Sequence, residues 1–196
     1  MPGIIVDIGT GDGKFAYELA KANPVRFVIG IDANHASLQE TSGKIYKKKE
    51  KGGLKNALFV LSSVQDLPQE LNGVANQVFI NFPWGSLLKS IVLAEPTAWN
   101  AIRRICAAGA IVDILLGYSE HDDQKTTRSL PALGRAHITQ VMQPALGKLG
   151  FTLLKLSKAS PAALKNYPSS WSKKLAFTPN KDFYYLRLKI LPTPKA

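Results

Sequence analysis

The chain has 196 residues, 45% of them apolar, and a net charge of +11. That length supports one domain with a substantial core, and the absence of any run of 18 apolar residues excludes a transmembrane helix. A lone cysteine, Cys106, excludes an internal disulfide, and His35, His121 and His137 lack metal-ligand spacing. The N-terminus leads directly into an apolar run, Ile4-Ile5-Val6, which predicts a buried strand over about 4–8 and no signal peptide. A helix is predicted over about 13–22, then strands at about 26–31, 56–61 and 76–81. Between these fall a helix at about 34–50 and, after Trp84, a shorter one. Helices at about 97–107 and 135–149 and strands at about 109–116, 151–157 and 183–190 complete the pattern. Cys106, within Ile105-Cys106-Ala107, is expected to fill the core. Strands alternating with helices predict an α/β fold: one domain over 1–196, a mostly parallel seven-stranded sheet, and helices on both faces. The long connections at about 118–134 and 158–181 are expected at the sheet edge where parallel strands end and ligands bind.

The first strand continues as Val6-Asp7-Ile8-Gly9-Thr10-Gly11-Asp12-Gly13. Glycine at every second position allows a sharp turn and a close ligand approach. The second strand ends on Asp32, where a carboxylate can accept hydrogen bonds from both hydroxyls of a ribose. A dinucleotide site uses Gly-x-Gly-x-x-Gly to seat a pyrophosphate, and Asp12 would repel one. The Gly-x-Gly-x-Gly form resembles motif I of class I S-adenosylmethionine methyltransferases, whose ligand carries no phosphate. That resemblance implies a Rossmann-like fold whose last strand inserts antiparallel. It also implies S-adenosylmethionine as cofactor, with Asp7, Gly9, Thr10, Gly11, Asp32, Val64, Gln65 and Asn81 as candidate binding residues.

The charge is uneven. Residues 44–55 carry net +5, residues 155–196 net +8, and the rest −2. Two basic blocks on a neutral body point to a polyanionic partner, and neither has the apolar face of a membrane-surface helix. Lys44, Lys47, Lys48 and Lys51 follow i, i+3, i+4, i+7, which predicts one cationic helical face, with Leu38, Thr41 and Ile45 turned inward and Gly52-Gly53 ending the helix. The stripe suits phosphate contact; the alternative is a solvated face complementing the helix C-terminal dipole. At the fourth strand's end, Asn81-Phe82-Pro83-Trp84-Gly85 offers a rigid turn and a flat aromatic face for a target base, or else a plug for the sheet edge. Ser169-Ser170-Trp171-Ser172-Lys173-Lys174 pairs a second stacking platform with cations, or anchors its loop.

Together these segments resemble the 16S rRNA adenine N1-methyltransferases of the kanamycin–apramycin resistance family. The likeness rests on 7–13, Gly30-Ile31-Asp32, Lys51-Gly52-Gly53-Leu54, Phe82-Pro83-Trp84-Gly85 and 171–177. It implies methylation of a decoding-site adenine in the small ribosomal subunit. Trp84 and Trp171 would sandwich the flipped base, and Pro83 and Ser169 would shape the site. Basic residues matching Lys44, Lys47, Lys48 and Lys174, and one near Lys181, would contact rRNA, and the charge pattern adds Lys51 and Lys173 as candidates. Gln65 stands where the family has glutamate, and Pro179 where it has a basic residue. No metal is expected, and the protein is expected to be cytoplasmic and monomeric. Two alternatives remain open: an adenine N6-methyltransferase on RNA or DNA, with the Asn81 carbonyl accepting from the exocyclic amine, and a non-catalytic rRNA-binding assembly factor.

Overall fold

Asp7 is almost wholly buried one position from the end of the first strand, and the fold explains why it can be there. The computed structural model describes residues 3–118, 124–160, 164–165, 167 and 181–191. β1 (Ile4–Ile8), β2 (Phe27–Asp32), β3 (Ala57–Leu61), β4 (Ala75–Asn81), β5 (Cys106–Leu116), β6 (Phe151–Lys158) and β7 (Tyr184–Ile190) form one sheet in the order β3-β2-β1-β4-β5-β7-β6. All pairings are parallel except those of β7, which lies antiparallel between β5 and β6. The strand order reverses between β1 and β4, the position where open α/β sheets bind ligands beyond their carboxyl ends.

Alternation along β1 sends Val6 and Ile8 to one face and Ile5 and Asp7 to the other. The first face packs against α3 (Gly85–Val92) and α4 (Pro96–Ile105). In α4 the buried set Ala98, Trp99, Ala101, Ile102 and Ile105 has helical spacing, and Pro96 starts the helix where its missing N–H costs nothing. Truncating Ile102, fully buried there, to alanine should cost about 2–5 kcal/mol. The second face packs against α1 (Lys14–Ala22) and α2 (His35–Ile45), with Ala16, Tyr17, Ala20 and Ile45 set on Ile5, Val28 and Ala57. Cys106 is buried at the start of β5, and burial pushes its thiol up to about 12, as suits a core residue.

Two predicted helices differ from expectation. α2 ends at Ile45, not near 50: Lys48 is extended (ψ 150°), and a short 3-10 turn (Lys49–Lys51) follows. Gly52, at φ +87°, turns the chain back so that Leu54 N–H donates to Ile45 O, while Tyr17 OH donates to Gly52 O. The predicted helix over 135–149 begins as α6 (Arg135–His137), widens into a π-helical segment (Ile138–Met142) and returns as α7 (Gln143–Lys148). Pro144 lies in the first turn of α7; its ring would clash with a carbonyl four residues earlier in a regular α-helix, and the wider turn relieves that. A short helix, α5 (Gln124–Thr127), lies in the first long connection. Among the described residues, no helix is long and apolar enough to cross a membrane.

Candidate active site

The three glycines of the first turn have φ of +73°, +59° and +73° at Gly9, Gly11 and Gly13, so each occupies the left-handed region that other residues disfavour. They serve different ends. A Cβ on Gly9 or Gly13 would collide with Leu87 or Phe59, whereas a Cβ on Gly11 would meet nothing within 4 Å. Gly11 faces a cavity of about 630 Å³, a volume suited to a nucleoside-sized ligand. Gly9 N–H and Thr10 N–H both donate to Ile31 O, tying the turn to the end of β2. Asp32 is held by backbone donors on both oxygens, Gly11 N–H and Asn34 N–H, each at 2.8 Å. Its remaining lone pairs can accept from a ligand's hydroxyls.

Below the turn, Asp7 accepts from Thr10 Oγ1 and, at 3.4 Å, from Asn81 Nδ2. Burial raises its pKa to about 7 against the lowering effect of those two donors, with smaller upward contributions from Asp32 and Asp12. A cationic ligand nearby would favour its ionised form. On the β3 side, Val64 and Gln65 line the cavity, joined by Ser62 and Ser63. Gln65 Nε2 donates to Ser90 Oγ at 3.3 Å, and Ser90 donates to Glu95, which leaves the Gln65 carbonyl oriented to accept.

The far rim is made by Asn81, Phe82, Pro83, Trp84 and Gly85. Phe82 has φ +49°, unusual for a non-glycine residue and more so before a proline; such conformations cost about 1–3 kcal/mol. The bend is held by Phe82 N–H donating to Leu115 O and by the Phe82 ring set edge-on to Phe183 at 5.9 Å. It turns Phe82 inward, buries Pro83 and leaves Trp84 44% exposed at the head of α3. Trp84 is therefore a free aromatic face at the cavity mouth, not a plug in the sheet edge.

Lys181 also lines this cavity. Ser169, Trp171, Lys173 and Lys174 lie outside the described residues. The predicted helical lysine stripe is corrected, because the helix ends before it is complete. Lys47, Lys48 and Lys51 are exposed on the turns after α2, while Lys44 is half-buried with its ammonium 4.1 Å from the centre of the Tyr17 ring. The sequence reading missed Ala33, Asn34, Ser62 and Ser63, which follow the ends of β2 and β3; their position just beyond parallel strands was the available signal.

A glycine turn at the sheet's switch point, a carboxylate ending β2 and a proline–tryptophan rim after β4, on a sheet with antiparallel β7, define a class I S-adenosylmethionine-dependent methyltransferase. The sequence profile of the family described as NpmA, 16S rRNA (adenine(1408)-N(1))-methyltransferase, matches residues 1–190, and the chain belongs to that family. A 16S rRNA (adenine(1408)-N(1))-methyltransferase of Escherichia coli is 32% identical over 182 residues, covering 91% of this chain and 83% of that protein. A crystallised variant of such an enzyme from Catenulisporales acidiphilia, with cosubstrate SAM, superposes with TM-score 0.88 at 29% identity, covering 99% and 88% of the two chains. The aminoglycoside resistance methyltransferase NpmB1 gives TM-score 0.79 at 34% identity, covering 96% and 87%.

Proposed function

We propose that this chain methylates N1 of the 16S rRNA adenine that its family's name specifies, within the assembled small ribosomal subunit, and so confers aminoglycoside resistance. The observation that carries the reading is one continuous cavity joining Gly11 and Asp32 to Pro83 and Trp84. Asp32 would hold the ribose, Gln65 would accept from the cofactor's purine amine, and the open space at Gly11 would admit the ligand against the backbone. When bound, S-adenosylmethionine supplies an electrophilic methyl group on its sulfonium. The residues at the rim position the nucleophile: Trp84, with Trp171 as the second face, would clamp a flipped adenine so that N1 points along the line of transfer.

Adenine N1 has a free lone pair at neutral pH and needs no general base. The described cavity lining agrees, since Asp32, which ends β2 and is held by two backbone N–H groups, is its one carboxylate and it contains no histidine. An N6 mechanism would use the Asn81 carbonyl as acceptor; here one lone pair of that oxygen is taken by Tyr167 OH at 2.7 Å while the amide donates to Asp7, which turns the side chain toward Tyr167 and Asp7. The lysines after α2 would grip rRNA phosphates across an assembled surface, so free short RNA should be a poor substrate. We further propose that the protein works as a cytoplasmic monomer built of a single methyltransferase domain.

The test is mass mapping of 16S rRNA from cells expressing the protein, combined with primer extension. An N1-methyl blocks Watson–Crick pairing, so reverse transcriptase should stop at the modified adenine. Methylation without a stop would restore the N6 reading. Cofactor binding without any methylation would favour the assembly factor.

A further inference from the structure

We infer that Tyr167 is a positioning residue: its hydroxyl fixes the Asn81 amide and thereby ties the connection between β6 and β7 to the carboxylate beneath the glycine-rich turn. Three directed hydrogen bonds make this link. Tyr167 OH donates to Asn81 Oδ1 at 2.7 Å, Asn81 Nδ2 donates to Asp7 Oδ1, and Thr10 Oγ1 donates to Asp7 Oδ2. Their polarity forms a chain. A phenol at the Asn81 carbonyl leaves the amide N–H facing Asp7, and a flipped amide would set its carbonyl against the carboxylate. Without the phenol, a part-buried carbonyl loses its donor and the amide is free to rotate.

The aromatic ring holds the hydroxyl in place. It lies flat on Phe15 of α1, with centroids 5.2 Å apart and planes 5° apart, and Phe82 meets it edge-on at 6.4 Å. Tyr167 N–H donates to Leu164 O, and Leu164 is buried in a small core with Leu115 and Phe183. Tyr167 thus touches α1, the end of β4 and the bend at Phe82 together. Ser169 and Trp171 follow it closely in sequence. A displacement of Tyr167 would therefore be felt at Asp7, and by linkage cofactor occupancy would be felt at Tyr167.

This inference rests on the S-adenosylmethionine reading of the cavity. Its test is calorimetric titration of S-adenosylmethionine into the wild type, Tyr167→Phe, Asn81→Ala and the double variant. Tyr167→Phe keeps the stack on Phe15, so its melting temperature should stay within about 3 °C of wild type. Its affinity should fall roughly 3- to 10-fold, the loss expected for one hydrogen bond. In the Asn81→Ala background the same change should have no effect.

The pH profile separates this role from simple packing. Asp7 is faced by Asp32 and Asp12 as like charges and by Thr10 and Asn81 as donors. Losing an oriented donor should move the pH midpoint of cofactor affinity upward in Tyr167→Phe. Wild-type affinity and an unmoved midpoint in that variant would overturn the proposal. So would a full effect persisting beside Asn81→Ala. A wild-type protein that fails to bind S-adenosylmethionine would overturn the cofactor reading itself, and this inference with it.

Discussion

The two ends of the site are held in different ways. At the glycine-rich end, backbone fixes almost everything: Gly9 and Thr10 share the Ile31 carbonyl, and Asp32 is pinned by two backbone N–H groups. At the rim Trp84 stands in solvent at the cavity mouth, and Lys47, Lys48 and Lys51, the cations we propose for rRNA, lie outside the cavity lining on exposed turns after α2. A small ligand needs atoms placed to tenths of an ångström, which hydrogen-bonded backbone supplies. A large polyanion supplies its own rigid surface, and cations on turns can meet it without a helix to align them.

The sharpest way to break this contrast is at the lysines. Changing Lys47 and Lys48 together to glutamate should lower methylation of small subunits by at least about 100-fold at physiological salt, with a shallower salt dependence. Cofactor affinity, measured by calorimetry, should not move; if it falls too, the ends are not independent. Next in size is Asp32→Ala. It should weaken S-adenosylmethionine binding by about 1.5–3 kcal/mol, the range for hydrogen bonds to a charged group, at low and high salt alike. Unchanged affinity would assign the ribose contact to another residue.

Single-turnover methylation of subunits probes the boundary between the two ends. Trp84→Ala should lose roughly 5- to 150-fold, from about 1–3 kcal/mol of stacking, and Trp84→Phe less. Full activity in Trp84→Ala would reduce that exposed ring to scenery. If Trp171 is the other face, removing both should cost less than the sum, since neither half holds the base alone.

The smallest effect concerns Asp7, whose pKa burial raises to about 7. A carboxyl raised in the folded state stabilises the cofactor-free protein fully only below its unfolded value near 4. That contribution is lost as pH rises through about 7. Melting temperature without cofactor should therefore decline over this window. Cofactor affinity should rise a few-fold over it, because the cationic ligand favours ionised Asp7. Asp7→Asn should flatten both curves, and persistence of either slope would assign it to another group.

Much of this was legible in the chain. Alternating strands and helices gave the sheet, and Gly9, Gly11, Asp32 and the segment 81–85 gave both walls of the cavity. What failed has a physical cause. Lysine periodicity describes which face a helix would show, not where it stops. The stop depends on Lys48 adopting an extended backbone and on Tyr17, 35 residues before Gly52, holding that glycine's carbonyl. Tyr167 was invisible for a related reason: it lies in an aperiodic connection, and its partners Phe15 and Asn81 are distant in sequence. The left-handed Phe82 was hidden because the residue before a proline ordinarily adopts extended geometry.

Phe82 also has a consequence for how this rim can change over time. Its backbone is one that glycine would adopt without strain, yet glycine would vacate the ring contacts with Tyr167 and Phe183. A saturation library at this position should be depleted from both directions, of β-branched residues by the backbone and of small ones by the lost aromatic contacts. Such a position drifts slowly through lineages whatever it contributes to chemistry, so constancy there would report on architecture before it reported on catalysis.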